Sequence, residues 1–235
     1  MKVVIVGGVA GGASAAARLR RRDEKACIVL IERSPYISYA NCGLPYYIGG
    51  TIEDEQELLL QTPQSMSRRF AIDVRVNSEA TAINRNHKTL TITNHATGQT
   101  YEESYDKLIL SPGASPLLPD IAGITHKNIF TLRTVGDTQR IHAYIQEHHP
   151  RSAVVIGAGF IGLEMAENLV HKGLDVTIIQ ATNHVLTPLD DDMAAHVHPY
   201  IREQGIDLRL NEKASAISQT GDGSLDITLF SGRTI

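Results

Sequence analysis

The chain has 235 residues, 42% of them hydrophobic and 20% charged, with a formal net charge of -4. Those proportions belong to a globular protein with room for one or two cores, and they exclude the basic surface of a nucleic-acid binder or a polybasic membrane anchor. No apolar stretch is long enough to span a bilayer, and two cysteines fit a reducing cytoplasm, which is the expected location.

Residues 2–6 (Lys-Val-Val-Ile-Val) predict a buried parallel strand. Gly7 to Gly12 predict a tight turn and Ala13 to Arg22 a helix. The N-terminus has the outline of a signal peptide, but four glycines interrupt its apolar run and arginines follow it. Cys27 to Glu32 read as the next strand, with Cys27 as small core filler. Pro45 suits a first helical turn, which would place Cys42 at a helix N-terminus. Gly49 to Gln61 read as a loop, followed by a helix with Thr62 at N-cap and Pro63 at N1.

Ala80–Ile83, Thr89–Thr93 and Leu108–Leu110 read as antiparallel strands, with turns near Asn86-His87 and Thr97-Gly98. The run Ser111-Pro112-Gly113-Ala114-Ser115-Pro116 breaks the pattern as a candidate domain crossing. The first pattern then recurs: strand Ala153–Ile156, turn Gly157–Gly162, helix Leu163–Lys172 ended by Gly173, and strand Asp175–Ile179. Asp190 to Gln204 predict a further helix capped by Asp190 or Asp191. Residues 206–230 return to strands, turning at Gly221-Asp222-Gly223.

The expected fold is α/β, with two dinucleotide-binding units of parallel sheet plus antiparallel strands. The domains would be 1–116 and 117–235. Gly157-x-Gly159-x-x-Gly162 satisfies the dinucleotide fingerprint: a tight turn, close approach of pyrophosphate, and close helix packing. Phosphate would sit on the free N–H groups of the following helix. The first turn carries Val9 between Gly7 and Gly12, but Glu32, about 20 residues on, stands where an acid bonds a ribose hydroxyl. In the second unit Gln180 holds that place and no arginine follows it in Ala181-Thr182-Asn183, which favours NADH over NADPH.

Two such units in one chain usually pass hydride from a nicotinamide to a flavin, and Cys42 follows the first unit's ribose-binding strand. A thiolate there would gain from a helix N-terminus or nearby positive charge. With Cys27 assigned to a core, Cys42 would cycle through a mixed disulfide with a small thiol, a persulfide or a sulfenic acid. Arg18, Arg21 and Arg22 share a helix face, readable as a phosphate site or as a solvated helix end. No histidine spacing in His148-His149 or around His196 and His198 makes a metal site, and Asp190-Asp191-Asp192 read as a helix start.

Four stretches carry a resemblance: Gly7 to Ser14, Ser38 to Tyr46 with its Asn-Cys-Gly-Leu-Pro-Tyr run, Tyr105 to Ala114, and Gly157 to Glu164. The chain resembles the single-cysteine branch of the pyridine nucleotide-disulfide oxidoreductases, which holds coenzyme A disulfide reductases, persulfide or polysulfide reductases and NADH oxidases. The resemblance implies FAD on the first unit, involving Gly7, Val9, Gly12, Glu32, Arg33, Ser111, Pro112 and Gly113. It implies NADH, or NADPH, on the second, involving Gly157, Gly159, Phe160, Ile161, Gly162, Glu164 and Gln180. Cys42 is then the redox nucleophile, and Ser14, Arg18, Arg21, Ser38 and Asn41 line a coenzyme A site. Phe160 would cover the flavin and Glu164 would lie near the nicotinamide pocket.

The implied substrate is a small disulfide or polysulfide, with no nucleic acid, membrane or metal. The alternatives are an NADH oxidase or peroxidase using a Cys42 sulfenic acid, and a non-catalytic nucleotide-binding fragment. Such proteins run roughly as long again, adding the rest of the NAD(P)H domain, a Gly-Asp segment completing the FAD site, and a C-terminal dimerisation domain. The chain is therefore expected to be a truncated form of a homodimeric enzyme.

Overall fold

A computed structural model describes all of residues 1–235. The chain opens with strand β1 (Lys2–Val6), helix α1 (Ala10–Arg22) and strand β2 (Cys27–Ile31). A 3-10 turn at Asn41–Gly43 leads into helix α2 (Leu44–Gly49), and Glu55–Leu58 form a second 3-10 turn. Helix α3 (Pro63–Phe70) starts at the expected Thr62, in a reciprocal capping box with Ser65. Strands β3 (Asp73–Arg75), β4 (Ser78–Asn84), β5 (Thr89–Asn94), β6 (Thr100–Ser104) and β7 (Lys107–Leu110) follow.

Next come helix α4 (Val135–His148), strand β8 (Ser152–Ile156), helix α5 (Phe160–His171) and strand β9 (Asp175–Ile179). Helices α6 (Asp191–Ala195) and α7 (Val197–Glu203) and strands β10 (Asp207–Arg209), β11 (Ala214–Gln219) and β12 (Leu225–Leu229) complete the chain. None of the helices is long and apolar enough to cross a membrane.

The chain divides into two compact units: Met1–Ala40 with Glu55–Ser115, and Asn41–Asp54 with Pro116–Ile235. The segment carrying Cys42 thus packs with the second unit although it lies within the sequence of the first.

In the first unit a four-stranded parallel sheet runs β3-β2-β1-β7. Alternation along its strands sorts the side chains onto two faces. Val3, Ile5, Ile28 and Leu30 pack with Ala13 and Ala16 of α1 and Met66 of α3. Val4, Val29 and Ile31 pack on the other face with Leu90 and Ile92 of the antiparallel sheet β4-β5-β6. Burying each of the valine, leucine, isoleucine and methionine side chains contributes about 1.5–3 kcal/mol relative to exposure.

The second unit repeats the plan. A parallel sheet ordered β10-β9-β8 packs Val176 and Ile178 with Met165, Ala166 and Leu169 of α5 and Ile48 of α2, while Ile179 joins Ile217, Ile227 and Leu229 of the β11–β12 pair.

Five expectations are corrected. Residues 107–110 pair parallel with β1, not antiparallel with their sequence neighbours, because Leu108 completes the face shared with Val4. Helices α1 and α5 start three residues earlier than expected, inside the glycine turns. The expected 190–204 helix breaks at His196 into two short ones. The 49–61 segment holds the end of α2 and a 3-10 turn. Cys27 is exposed at the first position of β2, so it fills no core. Helix α4 lies outside the expected elements; Thr134 and Asp137 form a capping box at its start.

An ion network ties the first unit's sheets together. Arg75 on β3 bonds Asp73 at 2.6 Å, Tyr101 at 3.1 Å and Glu103 on β6, and Glu103 also pairs with Lys2. Burial alone would raise the Glu103 carboxyl, but the bonds from Lys2 and Arg75 outweigh it and hold it below the usual range. A carboxylate depressed in the folded state stabilises above its unfolded pKa, and that stability is lost as pH falls through the folded value. Glu103→Gln is expected to lower unfolding stability at pH 7 by about 2 kcal/mol and to flatten its decline into acid. Urea midpoints at pH 7 and in stepwise acid test this; a variant with the wild-type acid slope would refute it.

Candidate dinucleotide turns and redox cysteine

The two glycine turns share one geometry. Gly7 has φ of 96° and Gly157 of 104°, in the left-handed region that favours glycine. Their N–H groups donate to Ile31 and Ile179 at the ends of the neighbouring strands, both at 2.8 Å. A Cβ on Gly12 would fall 1.7 Å from the Gly7 carbonyl oxygen, and one on Gly162 would fall 2.0 Å from that of Gly157. The third glycine of each turn is therefore demanded by the fold itself. A Cβ on Gly159 would meet nothing within 4 Å, so the fold does not demand that glycine. Val9 occupies the matching N-cap place of α1 and is half-buried.

Neither α1 nor α5 has a side chain capping its N-terminus, whereas α3 and α4 are both boxed. The free N–H groups of the first turn suit the oxygens of a pyrophosphate. The strand ends repeat the likeness. Glu32 is buried at the end of β2 and accepts from Gly8 N at 2.8 Å and Ser34 N at 2.9 Å. Gln180 is buried at the end of β9 and accepts from Ala158 N at 2.8 Å. Its amide donates to Thr182 Oγ1 at 2.6 Å. By turn, helix end and ribose-side residue, both sites fit an adenine dinucleotide.

The other first-unit candidates gather unevenly. Ser111 follows β7 directly against the turn: its N–H donates to Val6 at 2.7 Å, and its carbonyl would lie 1.9 Å from a Cβ on Gly7. Pro112 and Gly113 run out exposed, as does Arg33. Ser38 has φ of 44° and donates from its backbone N–H to the Gly8 carbonyl at 3.0 Å. Ser14, Arg18 and Arg21 form an exposed stripe on α1, while the intervening Arg20 is spent on the carbonyls of Phe70, Glu24 and Ala71. Gly8 is a residue the fingerprint did not single out. A Cβ there would meet Ile37 Cγ2 at 2.8 Å and Glu32 Cβ at 3.0 Å, so its size admits the 37–38 segment.

In the second unit Phe160 is 60% exposed at the start of α5, which removes a core role for it; Ile161 beside it is also exposed, and Glu164 is half-buried. Cys42 is a free, exposed thiol in the 3-10 turn running into α2, with Pro45 in that helix's first turn. The Asn41 side-chain oxygen beside it is buried without a hydrogen-bond partner.

Packing of α2 on α5 holds this turn. Ile48 enters the core, and Gly49 leaves room for Asn168, which is 2% exposed and donates to the Glu164 carbonyl at 2.8 Å. A polar residue on the buried stripe of α5 was the only sign of Asn168 in the sequence. Burial raises the Tyr46 phenol, and the charges of Glu167, Glu164 and Cys42 push it further, so it stays protonated. No group of three or more His, Cys, Asp or Glu is placed to hold a metal ion.

The sequence profile described as pyridine nucleotide-disulphide oxidoreductase matches residues 1–235. A coenzyme A disulfide reductase of Staphylococcus epidermidis is 41% identical over 233 residues, 99% of this chain and 51% of that protein. The crystal structure of reduced Bacillus anthracis CoADR-RHD superposes with a TM-score of 0.96 at 52% identity, covering 100% of this chain and 42% of that one. A NAD-dependent persulfide reductase from A. fulgidus gives a TM-score of 0.94 at 35% identity, covering 100% and 43%. The chain spans about half the length of the curated relatives it matches.

Proposed function

Since this chain belongs to the pyridine nucleotide-disulphide oxidoreductase family, we propose that the protein carrying it uses NAD(P)H to reduce a small disulfide or polysulfide through Cys42, with coenzyme A disulfide as the leading substrate. Residues 1–116 would contribute the FAD-binding segment and 117–235 the NAD(P)H-binding segment. FAD, when bound, supplies the two-electron relay between nicotinamide and sulfur.

The first turn, with Gly7, Val9 and Gly12, would hold the FAD pyrophosphate on α1, with Glu32 and Arg33 toward the ribose and Ser111, Pro112 and Gly113 alongside. Gly157, Gly159, Ile161 and Gly162 would hold the nicotinamide dinucleotide pyrophosphate, with Gln180 toward its ribose. Glu164 would stand near the nicotinamide, and the exposed Phe160 would shield the flavin.

The Cys42 thiolate attacks one sulfur of the disulfide, forming a mixed disulfide and expelling the other sulfur as a thiolate. Two electrons from NAD(P)H then break that mixed disulfide, returning Cys42 to thiolate and releasing the second thiol with a proton. In sum, one NAD(P)H, one proton and one disulfide give NAD(P)+ and two thiols. Ser14, Arg18, Arg21, Ser38 and Asn41 are proposed to bind coenzyme A, the two guanidiniums meeting its phosphates. The unpartnered Asn41 oxygen is suited to accept from an amide of the substrate. A homodimer and a reducing cytoplasm complete the reading.

The observation that carries it is the exposed Cys42 thiol in a chain whose two glycine turns share one dinucleotide geometry. The test is NADH consumption by the purified protein with coenzyme A disulfide, polysulfide, oxygen or peroxide, with thiol release counted. Release of two thiols per NADH supports the proposal. Turnover with oxygen or peroxide alone replaces it with a sulfenic-acid oxidase or peroxidase, and a colourless protein inert to all four is a nucleotide-binding fragment.

A further inference from the structure

We propose that residues 181–190 form a pH-sensitive strap on the second glycine turn, held by the His198 ring only while that ring is neutral, so that the dinucleotide affinity of the turn falls when His198 takes up a proton. The inference rests on the reading that this turn binds a nicotinamide dinucleotide. The spacing of His198 makes no metal site; the fold gives its ring a backbone donor instead.

The segment joins β9 to α6 and is pinned at three points. At its start the Gln180 amide donates to Thr182 Oγ1 at 2.6 Å, and that hydroxyl donates to the His184 carbonyl at 2.8 Å. In its middle Val185 N donates to His198 Nε2 at 3.3 Å, which ties the segment to α7. Next to it Leu186 N donates to the Ala158 carbonyl, inside the glycine turn, at 2.8 Å. Val185 is 0% exposed, so no water is at hand to replace His198 as its partner. Leu186 has φ of 51°, a left-handed conformation that a residue other than glycine keeps only where its surroundings hold it. Loss of the bond at Val185 therefore releases the neighbour that contacts the turn.

An imidazole nitrogen accepts a hydrogen bond only without a proton of its own. Protonation of His198 would set two N–H groups face to face and leave the Val185 N–H buried and unpaired. His184 plays the opposite part: its Nδ1 donates to the Val185 carbonyl at 2.8 Å and its Nε2 to Asp191 at 3.1 Å. Burial of His198, then the charges of Arg202 and His184, hold its ring below the usual histidine range. Helix α7 packs on α6 and β10. From α6 come Asp191, paired with His184, and Asp192, which accepts from Met193 N; on β10 Asp207 and Arg209 bond each other at 2.8 Å. A base depressed by the fold takes its proton more readily once the strap is released. The clasp is therefore whole above the ordinary histidine value, about 6.5, and is lost as pH falls through the folded one.

The experiment is calorimetric titration of the full chain with NAD+ between about pH 8 and about pH 5, FAD being present at saturation to occupy the first turn. Wild type is compared with His198→Gln, whose side-chain carbonyl can accept from Val185 N at every pH and which leaves His184 in place. Over that range the wild-type dissociation constant is expected to rise by about threefold or more relative to that of the variant. Equal pH dependence in the two proteins overturns the strap while leaving the dinucleotide site intact. Absence of NAD+ binding even at about pH 8 overturns the dinucleotide reading as well. Should the variant fold poorly, hydrogen exchange of the wild type decides. Protection of the Val185 amide, corrected for intrinsic rate and referred to that of Ile178 in the same core, is expected to fall by about tenfold or more over the same range. Unchanged relative protection overturns the proposal.

Discussion

Cys42→Ser is expected to abolish reduction of coenzyme A disulfide and of polysulfide, lowering kcat by at least roughly a thousandfold. A serine hydroxyl is a far weaker nucleophile near neutral pH and cannot form the mixed disulfide through which the electrons leave. The cofactor half of the reaction does not involve that sulfur, so NADH should still bleach the flavin of the variant. Cys27→Ser is the necessary companion, because Cys27 is exposed and burial does not remove it from consideration. It is expected to keep activity within twofold of wild type. Equal losses in both variants would replace the single-thiol mechanism with a two-thiol one, and full activity in Cys42→Ser would remove Cys42 from the chemistry.

The glycines of the fingerprint should separate by what each one serves. Gly12→Ala and Gly162→Ala place a methyl carbon 1.7 and 2.0 Å from the carbonyls of Gly7 and Gly157. Helix and strand must then part, at a cost of about 3 kcal/mol or more, since overpacking usually costs 1–3 and these contacts are with backbone. Gly159→Ala meets nothing within 4 Å. Its stability should change by less than about 0.5 kcal/mol. Its added methyl stands where a pyrophosphate would approach, so affinity for NAD+ should fall tenfold or more. Thermal unfolding and calorimetric titration of the three variants check this. A Gly159→Ala variant with wild-type affinity would mean that no pyrophosphate approaches the second turn.

Much of the candidate site was legible because its parts are local. Each strand, glycine turn and helix lies within one short stretch, and the requirement for glycine at 12 and 162 arises from a carbonyl five residues earlier. Thr62 and Pro63 announced α3 for the same reason. The misreadings are non-local. Periodicity marked 107–110 as a strand, but its partner is β1, about a hundred residues earlier, and hydrophobic alternation carries no information about which distant face it completes. Cys27 stands at the edge of an apolar run, and its exposure depends on what the rest of the fold leaves uncovered.

By itself, then, the sequence determined the two strand–turn–helix units, their dinucleotide geometry and the isolated thiol in the Asn-Cys-Gly-Leu-Pro-Tyr run. Those features are written in side-chain size, backbone freedom and short-range hydrogen bonding. Only the tertiary structure decided that Asn41–Asp54 packs with the second unit, since that follows from Ile48 entering a core built by residues from 141 onward and from Gly49 yielding space to Asn168. Only it decided that Gln180 is locked between Ala158 and Thr182 beside a strand bearing Arg209. Burial and pairing between distant segments settle such matters, and no local pattern encodes them.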